Sequence, residues 1–112
     1  MSVTIYHNPR CSKSRQTLAL LRDNGVEPSI VEYLDNMPSS GQLKGILAKL
    51  GLGPRDILRT MEAKEEGLDP ALDGDALIDA IVANPRVLQR PIVVSSDTAC
   101  IGRPPERVLD IF

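Results

Sequence analysis

The residues with the clearest chemical potential surround Cys11, which lies between a short β-like run and the start of a helical pattern. A thiol at a strand-to-helix turn is close to the positive end of the helix dipole, which favours the thiolate. Arg10, Lys13 and Arg15 add positive charge, and residues 1–22 contain no acidic side chain. These features predict a nucleophilic cysteine with a lowered pKa.

Three neighbours of Cys11 are predicted to support the thiol rather than to react. His7, the only histidine in the chain, is either a satisfied histidine at the end of a strand or a cation that lowers the thiol pKa. Asn8 is suited to turning the loop or to hydrogen bonding inside an anion-binding loop. Arg15 follows Cys11 by one helical turn, where a solvated ion pair is favoured and support of the thiol is the alternative.

Two cysteine motifs that are absent around Cys11 limit the reactions expected of this thiol. A dithiol oxidoreductase of the C-x-x-C type requires a second cysteine where this chain has Ser14. A phosphatase-type loop requires an arginine where the chain has Thr17. The other cysteine, Cys100, is expected to be a core thiol, with a resolving cysteine as the alternative.

Length and composition suit one domain with a single core: the chain has 112 residues, of which 42% are hydrophobic and 25% are charged. It has neither an apolar run of about 20 residues nor a secretory signal pattern, so we expect a cytoplasmic protein without a membrane partner. A pI near 5.3 and only three aromatic residues, one Phe and two Tyr, disfavour nucleic acid as a partner. No cluster of histidines and cysteines has the spacing of metal ligands, so no metal is expected. A monomer is the default expectation.

The first part of the chain predicts a strand, a helix and a strand. Residues 3–7 alternate in polarity and are followed by Asn-Pro, which predicts a strand. A helix is predicted from residue 12 to about residue 24, with Ser12 or Ser14 as its cap. Residues 29–34 predict a second, largely buried strand. The succession implies a parallel pair with a right-handed crossover.

The middle of the chain is predicted to be helical. Apolar residues recur at helical spacing before Gly51, and a short helix is expected from Pro54. Residues 60–72 predict at most one short helix, and a clear amphipathic helix follows Asp73. These elements form a helical insertion at about residues 38–84.

The last part predicts a hairpin and a helix. Residues 91–94 and 98–101 are expected to form two antiparallel strands. A helix from Pro105 places Val108, Leu109 and Phe112 on one face. The complete order, βαβ, helices and ββα, predicts an α/β fold of the thioredoxin-like type, with a four-stranded mixed sheet and a helical insertion after the second strand. A single domain over residues 1–112 is expected.

The chain resembles the glutaredoxin-coupled arsenate reductases, the ArsC family, over essentially its whole length. Four blocks carry the resemblance: IYHNPRCSKSR at 5–15, ILR at 57–59, QRPIVV at 89–94 and IGRPPE at 101–106. The chain departs from the family pattern between Arg59 and Asp75, where the segment 60–68 is shortened and lacks an aromatic residue that many relatives have there.

The resemblance implies reduction of arsenate to arsenite by glutathione and glutaredoxin, with Cys11 as the nucleophile and no bound cofactor. It implies that Arg59, Arg90 and Arg103 surround the oxyanion, and it suggests a cis bond between Arg90 and Pro91. The chemistry of the residues agrees. Arsenate is a tetrahedral anion, and guanidinium groups bind such oxygens in pairs and never lose their charge.

Three other functions stay open. An ArsC-like reductase could act on an oxyanion other than arsenate or on a glutathione adduct. A monothiol reductase of glutathione mixed disulfides would need the same thiol, but it would not need the three arginines. A non-catalytic interaction domain is the third possibility, because Spx-type regulators that bind RNA polymerase share the fold.

Overall fold

A computed structural model describes residues 2–111. The chain forms two compact units, one made of residues 1–36 and 90–112 and the other of residues 37–89. We call the first the sheet unit and the second the helical unit. Each has its own hydrophobic core.

The sheet unit contains all four strands and confirms the predicted thioredoxin-like mixed sheet. Its elements are β1 (Thr4–His7), α1 (Ser12–Asp23), β2 (Ser29–Glu32), β3 (Ile92–Val94), β4 (Ala99–Ile101) and a 3₁₀ helix (Pro105–Ile111). The strand order is β2-β1-β3-β4. β1 pairs parallel with β2 and antiparallel with β3, which pairs antiparallel with β4. The end of β1 and the start of α1 therefore meet in the middle of the sheet.

Alternation along β1 positions the start of the thiol loop. Val3, Ile5 and His7 are buried, as their period of two predicts. Ile5 packs in a core cluster with Leu21 of α1 and Val93 of β3. This packing fixes α1 against the sheet, and so it fixes the cysteine at the start of the helix.

The prediction of a largely buried second strand is wrong. β2 ends at Glu32 and lies at the edge of the sheet, where Ile30 is 42% exposed. Leu34 is 46% exposed, whereas Tyr33 is completely buried. The apolar run gave no sign of which strand would be an edge strand, because strand order is a property of the tertiary structure.

The predicted C-terminal helix is present over Pro105–Ile111, but it is a 3₁₀ helix. Val108 is buried in the core of the sheet unit, in agreement with the predicted apolar face. The prediction for Phe112 lies outside the described residues.

The helical unit confirms the predicted helices. Its elements are α2 (Ser40–Leu50), a 3₁₀ helix (Pro54–Ile57), α3 (Thr60–Glu65), α4 (Gly74–Ala83) and a 3₁₀ helix (Pro85–Val87). Ser39 and Gln42 form a capping box at the start of α2. Gly51 ends that helix with a φ of 68°, a left-handed conformation that glycine adopts without strain. α3 is the short helix expected within residues 60–72.

Within residues 2–111, no helix is both long enough and apolar enough to cross a membrane. The expectation of a single domain stays a prediction.

Candidate active site

Cys11 is the N-cap residue of α1, with an extended backbone at φ −90° and ψ 122°. The predicted caps, Ser12 and Ser14, are therefore wrong. The backbone N–H of Cys11 donates to Asn8 O at 3.0 Å. The thiol thus lies at the turn from loop to helix, where the free N–H groups of the first turn point towards it.

Asn8 and Arg15 shape the loop that carries the thiol. The Arg10 N–H donates to Asn8 Oδ1 at 3.0 Å, so Asn8 turns the loop as predicted. Arg15 Nη1 donates to Pro9 O at 3.0 Å. Among the described residues Arg15 has no carboxylate partner, so the favoured ion pair is wrong, and Arg15 instead holds the loop backbone.

His7 and Ser14 form a buried pair next to this loop. His7 Nδ1 lies 2.6 Å from Ser14 Oγ, which also accepts the Asn8 N–H at 3.1 Å. The Ser14 hydroxyl therefore links the imidazole of His7 to the backbone of the thiol loop. Sequence reasoning treated Ser14 only as a cap or a missing cysteine. Its position one turn into the helix is the signal that could have placed it beside the loop.

The environment of His7 favours the neutral form. Burial lowers the pKa of the imidazole, and Arg22 and Arg15 lower it further, against the opposing charge of Glu32. Of the two roles left open by the sequence, the structure favours the satisfied strand-end histidine over the cation. His7 therefore positions Ser14 and does not provide charge to the thiol.

The pKa of Cys11 lies below its ordinary value. Partial burial has the largest effect and raises the pKa, but several groups together outweigh it. These are the backbone N–H of Ser14, the Arg90 guanidinium through hydrogen bonding and charge, and the backbone N–H of Lys13. The lowered pKa is thus produced by the first turn of α1 and by an arginine far away in the sequence.

Arg103 approaches the same sulfur. Its Nη2 donates to Cys11 Sγ at 3.6 Å, and its Nε donates to Arg90 O at 2.6 Å. The peptide bonds Arg90–Pro91 and Arg103–Pro104 are both cis. Two of the three arginines predicted from the resemblance therefore lie at the thiol of the sheet unit.

Arg59, the third predicted arginine, belongs to the helical unit. It is the N-cap residue of α3, and its backbone N–H donates to Val87 O at 2.7 Å. Its Nε pairs with Glu62 Oε2 at 3.1 Å, while its buried Nη1 has no hydrogen-bond partner within residues 2–111. Its role towards an oxyanion stays a prediction.

Cys100 has the character of a core thiol. Burial raises its pKa to about 11, and its Sγ donates to Arg107 O at 3.6 Å. It packs against the core of the sheet unit, and both cysteines are free. Since thiolates, not thiols, exchange with disulfides, this environment argues against a resolving cysteine.

Comparison with known proteins identifies the family of the chain. The model of the ArsC family matches residues 6–111. YfgD, an uncharacterised protein of Escherichia coli K12, is 51% identical over 97% of this chain and 95% of its own length. An arsenate reductase of Neisseria meningitidis serogroup A is 47% identical over 95% of this chain and 94% of its own length. The solved structure of an arsenate reductase from Vibrio cholerae is 45% identical, covers 100% of this chain and 98% of its own, and superposes with a TM-score of 0.89. The chain belongs to the ArsC family.

Proposed function

We propose that the chain is an arsenate reductase in which the Cys11 thiolate attacks arsenate. The observation that carries the proposal is a thiol of lowered pKa that accepts hydrogen bonds from the first turn of α1 and lies beside Arg90 and Arg103. Relatives that are named arsenate reductases, at 47% and 45% identity over nearly the whole chain, support the same activity.

The two arginines suit an oxyanion because attack by a thiolate brings two negative groups together. Their guanidinium groups offset that repulsion and stabilise the oxygen that leaves. A guanidinium also offers paired N–H donors in a fixed fork, which matches the tetrahedral oxygens of arsenate. By family resemblance, Arg59 is the third cation of the site.

The reaction needs two electrons, and Cys11 alone cannot supply both. A sulfur–arsenic bond forms between the Cys11 sulfur and arsenate, and one oxygen leaves as water. A second thiol then attacks the adduct, so arsenic is reduced from the pentavalent to the trivalent state as two thiols become a disulfide. Summed over the cycle, arsenate and two thiols give arsenite, a disulfide and water.

The second thiol comes from outside the chain in this proposal. Cys100 is a poor candidate because burial raises its pKa to about 11. We assign the role to glutathione, with glutaredoxin completing the cycle, as the family resemblance implies. In this proposal the protein acts as a cytoplasmic monomer without a bound cofactor.

The test is arsenate-dependent NADPH oxidation in the presence of glutathione, glutaredoxin and glutathione reductase, with Cys11→Ser as the control. We expect a rate in the unmodified protein that saturates with arsenate, and none in the variant. Absence of an arsenate-dependent rate with any thiol donor would reject the activity. A rate with thioredoxin and thioredoxin reductase, but not with glutaredoxin, would reject only the donor.

Arg103→Ala tests the oxyanion role of the arginines. We expect kcat/KM for arsenate to fall by about 100-fold or more, because one donor to the developing charge is lost. The melting temperature should change little, since Arg103 is only partly buried. Arg107→Ala removes an exposed arginine of the same unit and serves as the matched control. Equal kcat/KM values in the two variants would remove Arg103 from the site.

A second candidate function is the reduction of glutathione mixed disulfides. The observation that favours it is the same thiol of lowered pKa, with no second cysteine in the first turn of α1. To distinguish the two functions, the assay is repeated with a glutathionylated peptide in place of arsenate, on both the parent protein and Arg103→Ala. Turnover of the peptide that persists in this variant, without arsenate turnover in the parent, would select this function. Retention of RNA polymerase in a pull-down without either activity would select the Spx-like interaction domain.

A further inference from the structure

Tyr33 has a buried hydroxyl whose hydrogen has no acceptor of hydrogen-bonding geometry within residues 2–111. The residue follows β2 directly, and its side chain is 0% exposed. Arg90 and Asn8 act on its oxygen as hydrogen-bond donors, since both lower the pKa of the phenol, although neither contact reaches full hydrogen-bonding geometry. Buried polar groups in folded proteins are almost always hydrogen-bonded, so an exception calls for a functional explanation.

The surroundings of the Tyr33 hydroxyl connect it to the thiol. β1 and β2 pair with His7 opposite Glu32, so Tyr33 follows at the same edge of the sheet as Asn8, whose carbonyl oxygen accepts the Cys11 N–H at 3.0 Å. Arg90 acts on the phenol through charge and hydrogen bonding, Asn8 through hydrogen bonding and Cys11 through charge. Arg90 Nε is buried and, like the phenol, has no acceptor within the described part of the chain. The Tyr33 O–H and the Arg90 Nε–H are therefore two buried donors without acceptors among the described residues, at the edge of the sheet where the Cys11 loop begins.

Both donors can be satisfied by one kind of group. The Arg90 guanidinium can only donate, and a neutral phenol donates one hydrogen bond. A tetrahedral oxyanion presents several acceptor oxygens and can satisfy both donors at once. Water would satisfy them less strongly, because a hydrogen bond to a charged acceptor is about twice as strong as one between neutral groups.

We propose that the Tyr33 hydroxyl is a substrate-binding group that donates a hydrogen bond to an oxygen of the tetrahedral oxyanion attacked by Cys11. The inference rests on the proposed function, because it takes the oxyanion as the substrate of that thiol. Tyr33 adds a neutral donor to a site whose other side chains are cationic. Because the phenol is neutral, it adds no positive charge that would stabilise the Cys11 thiolate further and so make it less nucleophilic.

The phenol acts as a donor and does not transfer a proton. Burial raises its pKa above the ordinary value, although Arg90 and Asn8 oppose that effect, so the hydroxyl keeps its hydrogen at neutral pH. A group that is such a weak acid is poorly suited to protonate the departing oxygen. Loss of the hydroxyl should therefore weaken oxyanion binding. The pH profile of activity should show no ionisation that belongs to Tyr33.

Tyr33→Phe tests the proposal because it removes only the oxygen and keeps the buried ring. Inorganic arsenate is the probe, and its affinity is measured as protection of Cys11 from iodoacetamide, normalised to the alkylation rate without arsenate. We expect the dissociation constant to rise by about ten- to a hundredfold, as for loss of a buried hydrogen bond to a charged group. The value of kcat/KM for arsenate should fall by a similar factor.

Melting temperature separates this role from a structural one. Because no hydrogen bond of full geometry joins the hydroxyl to another of residues 2–111, its removal should change the melting temperature little. Tyr6→Phe is the matched control: it deletes the hydroxyl of a half-buried tyrosine on β1, whose pKa is affected by burial alone. Protection by arsenate should be unchanged in that variant.

The outcomes distinguish this inference from the proposed function. Protection lost in Tyr33→Phe and kept in Tyr6→Phe supports the assignment even if the parent reduces no arsenate. Equal protection in Tyr33→Phe and the parent overturns it, as does an equal loss in both tyrosine variants. Absence of protection in the parent also overturns it, whereas the NADPH assay decides the reductase activity separately.

Discussion

The Cys11 sulfur lies 3.6 Å from Arg103 Nη2, and the Arg90 guanidinium also lowers its pKa. Neither arginine is near Cys11 in the sequence. His7, which the sequence left as a possible cation beside the thiol, has a lowered pKa because it is buried. The charge that activates the thiol therefore comes from the end of the chain and from the first turn of α1.

Arg90→Ala should raise the pKa of Cys11, because both a hydrogen bond and a positive charge are lost from the thiolate. The measurement is the rate of iodoacetamide alkylation as a function of pH. Cys100, with a pKa of about 11, does not interfere in the neutral range. Arg107→Ala is the control, since that arginine acts on Cys100 instead. Superimposable titrations of Arg90→Ala and the parent would contradict the assignment.

The imidazole of His7 should titrate below the ordinary histidine pKa of about 6.5, because its buried position disfavours the charged form. NMR spectroscopy of the ring protons measures this directly, and the signal is unambiguous because the chain has one histidine. A pKa at or above the ordinary value would return His7 to the role of a cation beside the thiol.

At the scale of elements, the contact between α1 and the segment after β4 brings Arg103 to Cys11. A Cβ atom on Gly102 would lie 2.7 Å from Thr17 Oγ1 and 3.0 Å from Pro91 Cγ. Gly102 also donates its N–H to Pro91 O at 2.9 Å. Only glycine permits this approach, so Gly102 and Thr17 determine the distance between the arginine and the thiol.

Gly102→Ala should destabilise the protein by about 1–3 kcal/mol, as expected for an added methyl in a packed site, and should lower arsenate turnover by displacing Arg103. Gly45→Ala is the control, because a Cβ there meets nothing within 4 Å and lies inside α2. It should stabilise the helix by about 0.5–1 kcal/mol without changing turnover. Chemical denaturation and the NADPH assay measure the two effects. A Gly102→Ala variant as stable and as active as the parent would refute the role of this contact.

At the scale of the whole molecule, several pKa values differ between the folded and unfolded states. The free energy of unfolding therefore depends on pH on both the acid and the alkaline side. His7 and Cys11 have lowered pKa values in the folded state. Their stabilising contributions are therefore present above the unfolded-state pKa and are lost as pH falls through the folded-state value. Cys100 and Tyr33 have raised values, so their contributions are present below the unfolded-state pKa and are lost as pH rises through the folded-state value.

As pH increases, the free energy of unfolding should therefore rise in two windows. The first window ends at about pH 6.5 and is due to His7, and the second ends at about pH 8.5 and is due to Cys11. It should fall again on the alkaline side as pH rises towards the Cys100 pKa of about 11. Urea denaturation under reducing conditions at a series of pH values measures the profile. Cys11→Ser should remove the rise that approaches pH 8.5, and Cys100→Ser should weaken the alkaline fall. Profiles identical to that of the parent would show that neither thiol contributes.

The sequence by itself determined the local elements and the reactive residue. Polarity alternation predicted β1, the Gly51 stop predicted the end of α2, and local charge marked Cys11, because each depends on residues that are close together in the chain. The tertiary structure alone decided that β2 is an edge strand and that burial lowers the pKa of His7. It also brought Arg103 to Cys11 across 92 positions of sequence and buried the side chain of Tyr33. Burial and long-range contact depend on how the elements pack, and no local pattern encodes them.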